Sequence, residues 1–276
     1  MKCELVFYNN NNLLEGPIWD GKNKILYFVA IRDNQVLGLN TETKEIRTYP
    51  VGCAVGCAAL LEDGNLIIAK KDGIHKLDVT NGHIAFICQP LQDDRMRFND
   101  GKLDPNNRLL VGSMGDLTRM ENAGGLYSVE GTKYRQIIGG TTVANGLGFS
   151  RDGQILYFID TPTKCVMKYN YHLESGDVSN PRVAAHLTGP GSPDGMFVLP
   201  DDTLLVCEWG GGCISRWNPD TGIRMEEYQL PVTNITCCCL GGENMDKLYI
   251  TTAKCKDRME ESLAGGLFCI SMEGRG

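Results

Sequence analysis

Short apolar runs separated by polar turns fill the chain, and the alternation has a shape that returns. Three stretches share it closely: EGPIWDGKNKILYF from Glu15, NGLGFSRDGQILYF from Asn145 and DGMFVLPDDTLLVC from Asp194. Each holds a short apolar strand, a hairpin rich in Asp, Gly and Asn, and a second apolar strand starting ten residues on, at Ile25, Ile155 and Leu204. Runs of this length bounded by turn formers read as β-strands joined by hairpins. Counting back ten residues from other second strands brings GCAALLEDGNLIIA from Gly56 and NDGKLDPNNRLLVG from Asn99 into the same register. A sixth copy, TCCCLGGENMDKLYITTA near Thr236, keeps the shape with a longer hairpin.

Between copies a third strand and a fourth follow, as in VLGLNT with EIRTYP and GIHKLDV with HIAFIC. The sixth copy supplies only GLFCISME, and the missing strand is available in CELVFYN ahead of the first copy. Four antiparallel strands recurring every 41 to 49 residues have the period of a propeller blade, and an N-terminal strand completing the last blade would remove free edges. The expected fold is therefore all-β: a single six-bladed β-propeller domain over residues 1–276, with four-stranded antiparallel blades. Almost no segment sustains a 3.6-residue apolar period, so helix is expected only as a short turn at Arg258 to Leu263.

Register then becomes geometry. The first strand of each blade lines the central channel, so equivalent positions point at a common volume. That position reads Glu15, Gly56, Asn99, Asn145 and Asp194. Two carboxylates brought together without a counterion repel each other and lose hydration, and no Lys or His stands at a matching position to relieve them. A divalent cation would, since carboxylate and amide oxygens are hard ligands suited to Ca²⁺, Mg²⁺, Mn²⁺ or Zn²⁺. Taken singly, Asn-Gly and Asp-Gly are ordinary turn dipeptides; the case lies in four polar residues at one repeat position. Arg97, two residues before Asn99, would project near the same mouth, either to orient a ligand or as an exposed ion-pairing side chain. Trp209 reads as a packed indole rather than a pocket wall, and the four histidines as surface or structural groups.

Composition narrows the class. With 42% hydrophobic and 22% charged residues the chain is a folded globular protein. A net charge of −7 argues against nucleic-acid partners and anionic membranes, which need clustered Lys and Arg; the basic patches, such as Lys254 to Arg258, are short. The N-terminus lacks an apolar export segment and no run is long enough to span a membrane, so a cytoplasmic location is expected. The twelve cysteines match neither a CxxC pair nor a zinc spacing and are expected as buried thiols. No GxSxG elbow or nucleophile–His pair falls in the first-strand register, which leaves metal-assisted hydrolysis as the fitting chemistry.

Seven segments, EGPIW at Glu15, LYFV at Leu26, RFNDGK at Arg97, ANGLGFS at Ala144, YFID at Tyr157, PDGM at Pro193 and the TCCCLGG stretch, resemble the SMP-30/gluconolactonase family, which includes regucalcin. The resemblance runs in order over nearly the whole chain. It implies a six-bladed propeller and a lactonase acting on a small-molecule lactone, with one divalent metal held by Glu15, Asn145 and Asp194. It also implies substrate contacts from Arg97 and Asn99 and a general-base role for Asp194. The chain departs from the family where Ala30 replaces a carboxylate, where Leu117 stands at the place of a substrate-approaching Glu of the animal members, and in a shorter tail beyond Met272. Rival expectations are a metal-dependent esterase or lactonase for a non-sugar substrate and a non-enzymatic calcium-binding propeller.

Overall fold

In the computed structural model residues 3–10, 13–254 and 260–272 are described. They form an all-β structure whose only helical segments are single 3-10 turns at Ile31–Asp33 and Thr161–Thr163. The second strands of the first five repeat units begin at Ile25, Leu66, Leu109, Ile155 and Leu204, the positions that ten-residue counting assigns. In the first unit Leu14–Asp20, Ile25–Ala30, Gln35–Asn40 and Ile46–Pro50 pair in chain order as an antiparallel sheet. The next three units repeat this as separate four-stranded sheets. The fifth and sixth are joined by one bridge, Trp209 to Asn234, into a single eight-stranded sheet. On its outer side Cys3–Phe7 pairs antiparallel with Leu267–Ser271, with Cys3 opposite Ile270. Of the turn expected at 258–263, residues 258 and 259 lie outside the described residues, as do 255–258 of the basic patch and the tail beyond 272; the rest of that turn closes with the Ala264 N–H donating to the Glu261 carbonyl at 3.0 Å.

Successive residues of a strand face opposite sides, and here both sides are covered. Tyr27 and Val29 pack with Val55, Leu66 and Ile68 of the second unit, while Leu26 and Phe28 pack with Tyr249 and Leu267 of the sixth. Four further apolar clusters fill the spaces between units two and three, three and four, four and five, and five and six. This two-sided burial explains the near-continuous apolar second strands, since a strand with one wet face would alternate.

The first strands lie innermost, each against the first strand of the next unit. All six carry a register break at the same level: Glu15/Ile18, Val55/Cys57, Phe98/Gly101, Asn145/Leu147, Pro193/Met196 and Ile235/Cys237. A β-bulge bends its strand and re-aims a side chain, so six bulges in one layer turn that layer's residues towards the axis. Glycine permits the close approach: a Cβ at Gly146 would lie 2.6 Å from the Asp194 carbonyl oxygen, and one at Gly195 2.7 Å from that of Thr236.

Candidate metal centre

The bulge layer brings all five expected site residues together. Glu15, Arg97, Asn99, Asn145 and Asp194 line one cavity of about 220 Å³, walled further by Leu13, Ile31, Met114, Val143, Thr161 and Trp209. None is more than 7% exposed, which excludes Arg97 as a surface ion-pairing residue. Trp209 corrects its expectation: the indole is 38% exposed and forms part of the cavity wall. Glu208 beside it turns away to pair with Arg224 at 3.0 Å. Of the histidines, His75 is buried, with Nδ1 3.1 Å from the Gly73 carbonyl oxygen, and plays no part in the cavity.

Hydrogen bonds fix the orientation of the amides. Asn145 Nδ2 donates to Asp194 Oδ1 and, at 3.1 Å, to Thr161 Oγ1, which itself donates to the Pro193 carbonyl at 2.9 Å. With the nitrogen so engaged, Asn145 Oδ1 is buried without a hydrogen-bond partner. Both polar atoms of Asn99 are engaged: its Oδ1 accepts from Arg97 Nη1 at 2.8 Å and its Nδ2 donates to the Ala144 carbonyl at 3.0 Å. Arg97 Nη1 also donates to the Phe98 carbonyl at 2.8 Å. Glu15 Oε2 accepts from the Gly16 N–H at 2.7 Å.

The electrostatics are set by two buried carboxyls that act on each other in one cavity. Burial first, and then the charges of Asp194 and Asp100, hold the Glu15 carboxyl well above the usual carboxylate range. Burial likewise raises Asp194, against the hydrogen bond from Asn145, and Asp100 adds to it. Asp100 is the residue that the repeat register passed over. It follows Asn99 within the same bulge, accepts from the Gly101 N–H at 2.7 Å, and lines a second cavity of about 330 Å³ with Trp19, Lys102, Phe197 and Cys237. Its signal was its place beside Asn99, since neighbouring strand residues face opposite ways.

Two carboxylates and an amide oxygen without a partner suit a hard divalent ion. Among the described residues no three His, Cys, Asp or Glu side chains group as metal ligands, so the amide is needed to complete a set. An unpartnered buried acceptor beside repelling carboxylates costs free energy that a cation would recover.

A family profile, the SMP-30/gluconolactonase/LRE-like region, matches residues 13–254. A candidate sugar lactone lactonase of Bacillus subtilis, YvrE, is 33% identical over 276 residues, covering 95% of this chain and 92% of that protein. Human regucalcin is 31% identical over 285 residues, covering 98% and 94%. Among solved structures, a calcium-binding regucalcin of Agrobacterium tumefaciens superposes with a TM-score of 0.90 at 24% identity, covering 96% of this chain and 92% of that one. With the cavity set on the bulge layer and the match spanning both its carboxylates, the chain belongs to the SMP-30/gluconolactonase/LRE-like family.

Proposed function

We propose that the protein is a divalent-metal-dependent lactonase that opens a sugar lactone, an aldonolactone such as gluconolactone, to its acid. The observation that carries this is the meeting of Glu15, Asn145 and Asp194, from three distant units, in one cavity with an unpartnered amide oxygen. These three would hold one Ca²⁺, Mg²⁺, Mn²⁺ or Zn²⁺ ion. When bound, such an ion supplies Lewis acidity at the lactone carbonyl. Asp194 takes the proton of the attacking water, from a position fixed by the hydrogen bond that its Oδ1 accepts from Asn145 Nδ2. Arg97 and Asn99, locked to each other, present a fixed wall that orients the ring. The fold proposed with this function is one six-bladed propeller domain, its last blade completed by Cys3–Phe7. A cytoplasmic location belongs to the proposal, in keeping with the free thiols among the described cysteines.

A second substrate class, a non-sugar lactone, is favoured by the apolar share of the wall, Leu13, Ile31, Met114, Val143 and Trp209, which offers few partners to a polyol. The test is acid release from gluconolactone above the spontaneous rate with each of the four ions. EDTA should abolish it, and Asp194→Asn should lower kcat by about 10²- to 10⁴-fold, the span of a lost general base. Turnover that survives EDTA would overturn the proposal, and a preference for aromatic or aliphatic lactones over sugar lactones would select the second substrate class.

A further inference from the structure

Beside the cavity three cations meet one carboxylate. Arg32 Nη1 donates to Asp116 Oδ1 at 2.8 Å and Arg32 Nη2 to the Asp116 carbonyl at 2.6 Å. Lys71 Nζ donates to Asp116 Oδ2 at 2.7 Å, and Arg97 Nε lies 3.8 Å from Asp116 Oδ1. Both oxygens of the buried Asp116 are thereby occupied, while Arg32 and Lys71 keep 37% and 35% of their side-chain surface in solvent. Nearby carboxylates in the same chain segments are matched elsewhere: Asp72 lies 3.3 Å from Lys70, and Asp93 2.6 Å from Arg95. Glu15 and Asp194 act on Arg97 from the cavity side, so the positive charge that Asp116 alone does not balance lies at Arg32 and Lys71. A second observation points the same way. Arg97 Nε is buried without a hydrogen-bond partner, on a side chain that lines the cavity. A buried guanidinium N–H left unpaired is a donor awaiting an acceptor.

We infer that Arg32, Lys71 and Arg97 form an anion subsite at the cavity mouth, and that the substrate is a lactone carrying a carboxylate or phosphate at the end remote from its carbonyl; the word lactone rests on the function proposed above, the subsite on these three side chains. Asp116 is the post that spaces the cations. Orientation follows from charge. With the two carboxylates of the metal centre balanced by a divalent ion, the positive charge left for an anion lies at Arg32 and Lys71, so the charged end stays there while the ring enters towards Asp194. Arg97 reaches both ends, since its Nη1 holds Asn99 and its Nε faces Asp116.

The test pairs kinetics with binding. Gluconolactone, gluconolactone 6-phosphate and glucarolactone are compared by kcat/KM, and the open-chain acids gluconate, 6-phosphogluconate and glucarate by calorimetric titration. The charged members should exceed the neutral-ended one by about tenfold or more in both measurements, and added salt should narrow the gap. Lys71→Gln and Arg32→Gln should each shrink the charged-to-neutral ratio by about tenfold, while Lys76→Gln, an exposed side chain paired with Asp63, should not change it. Preference for the phosphate or for the carboxylate identifies the anion, and equal preference supports the shared chemistry. A ratio near one that K71Q and R32Q leave unmoved overturns the subsite and leaves the lactonase standing. Selective binding of 6-phosphogluconate or glucarate, lost in K71Q, with no lactone hydrolysed, overturns the lactonase and leaves the subsite standing.

Discussion

Adding one methyl group at Gly146 tests the geometry on which the metal centre depends. A Cβ there would lie 2.6 Å from the Asp194 carbonyl oxygen, 2.6 Å from Ile159 Cδ1 and 3.2 Å from Met196 Cγ. The isoleucine terminus can rotate away, but the carbonyl is backbone of the neighbouring first strand. Relief to ordinary van der Waals contact requires the two strands to part by about 0.8 Å, and overpacking of this kind costs roughly 1–3 kcal/mol. In a domain of this size each kcal/mol lowers Tm by about 2–4 °C, so Gly146→Ala should melt roughly 2–12 °C below the parent. The same parting separates Asn145 from Asp194, which hydrogen-bond across these strands. Misplacement near 1 Å costs catalysis about 100-fold, so kcat/KM should fall far more than the melting temperature suggests. Calorimetric melting with and without metal, together with lactone hydrolysis, reads both effects. Gly189→Ala, with nothing within 4 Å of the added carbon, is the control and should change neither. If Gly146→Ala melts within about 1 °C of the parent and keeps its metal response, the first strands do not approach as closely as the structure has them.

Other consequences can be measured separately. Glu15 and Asp194 bind protons more tightly in the folded chain than when unfolded, so metal-free stability falls as pH rises above about 4 through their raised folded values. A bound cation opposes that loss, and the gain in Tm on adding metal should be larger near pH 8 than near pH 5; equal gains would show that these carboxylates are not the ligands. Glu15→Gln removes one of the two repelling charges, so the metal-free protein should melt no lower than the parent near pH 8 while metal affinity drops by about 100-fold or more. A lowered metal-free Tm with parental affinity would contradict both halves. At the far end of the third unit, Asp104 accepts from Arg108 Nε at 2.7 Å and from Tyr171 Oη at 2.6 Å. Because Arg108 is buried, Asp104→Asn should cost about 3–5 kcal/mol in denaturant unfolding, and a loss under about 1 kcal/mol would show that the pair is dispensable.

What could be read from the sequence divides along a physical line. Second strands at Ile25, Leu66, Leu109, Ile155 and Leu204 were legible because each is packed on both faces and must stay apolar, which preserves the period. Glu15, Asn145 and Asp194 were legible because a polar residue at a repeated inner position stands out against that period. The bulge layer was not, since an extra residue in one strand has no sequence signature apart from the glycines that tolerate it. Trp209 was misjudged because packing and lining differ only in what the adjoining units place beside the indole. The cluster at Asp116 was the least legible feature: its partners Arg32 and Lys71 stand 84 and 45 residues away, on connections that no packing rule obliges to repeat. Strands in such a ring are constrained by both neighbours, whereas connections answer only to solvent and ligand. The residues proposed for the metal centre therefore lie on strands, where a period reveals them, and two of those proposed for the anion subsite, Arg32 and Lys71, on connections, where only the folded chain does.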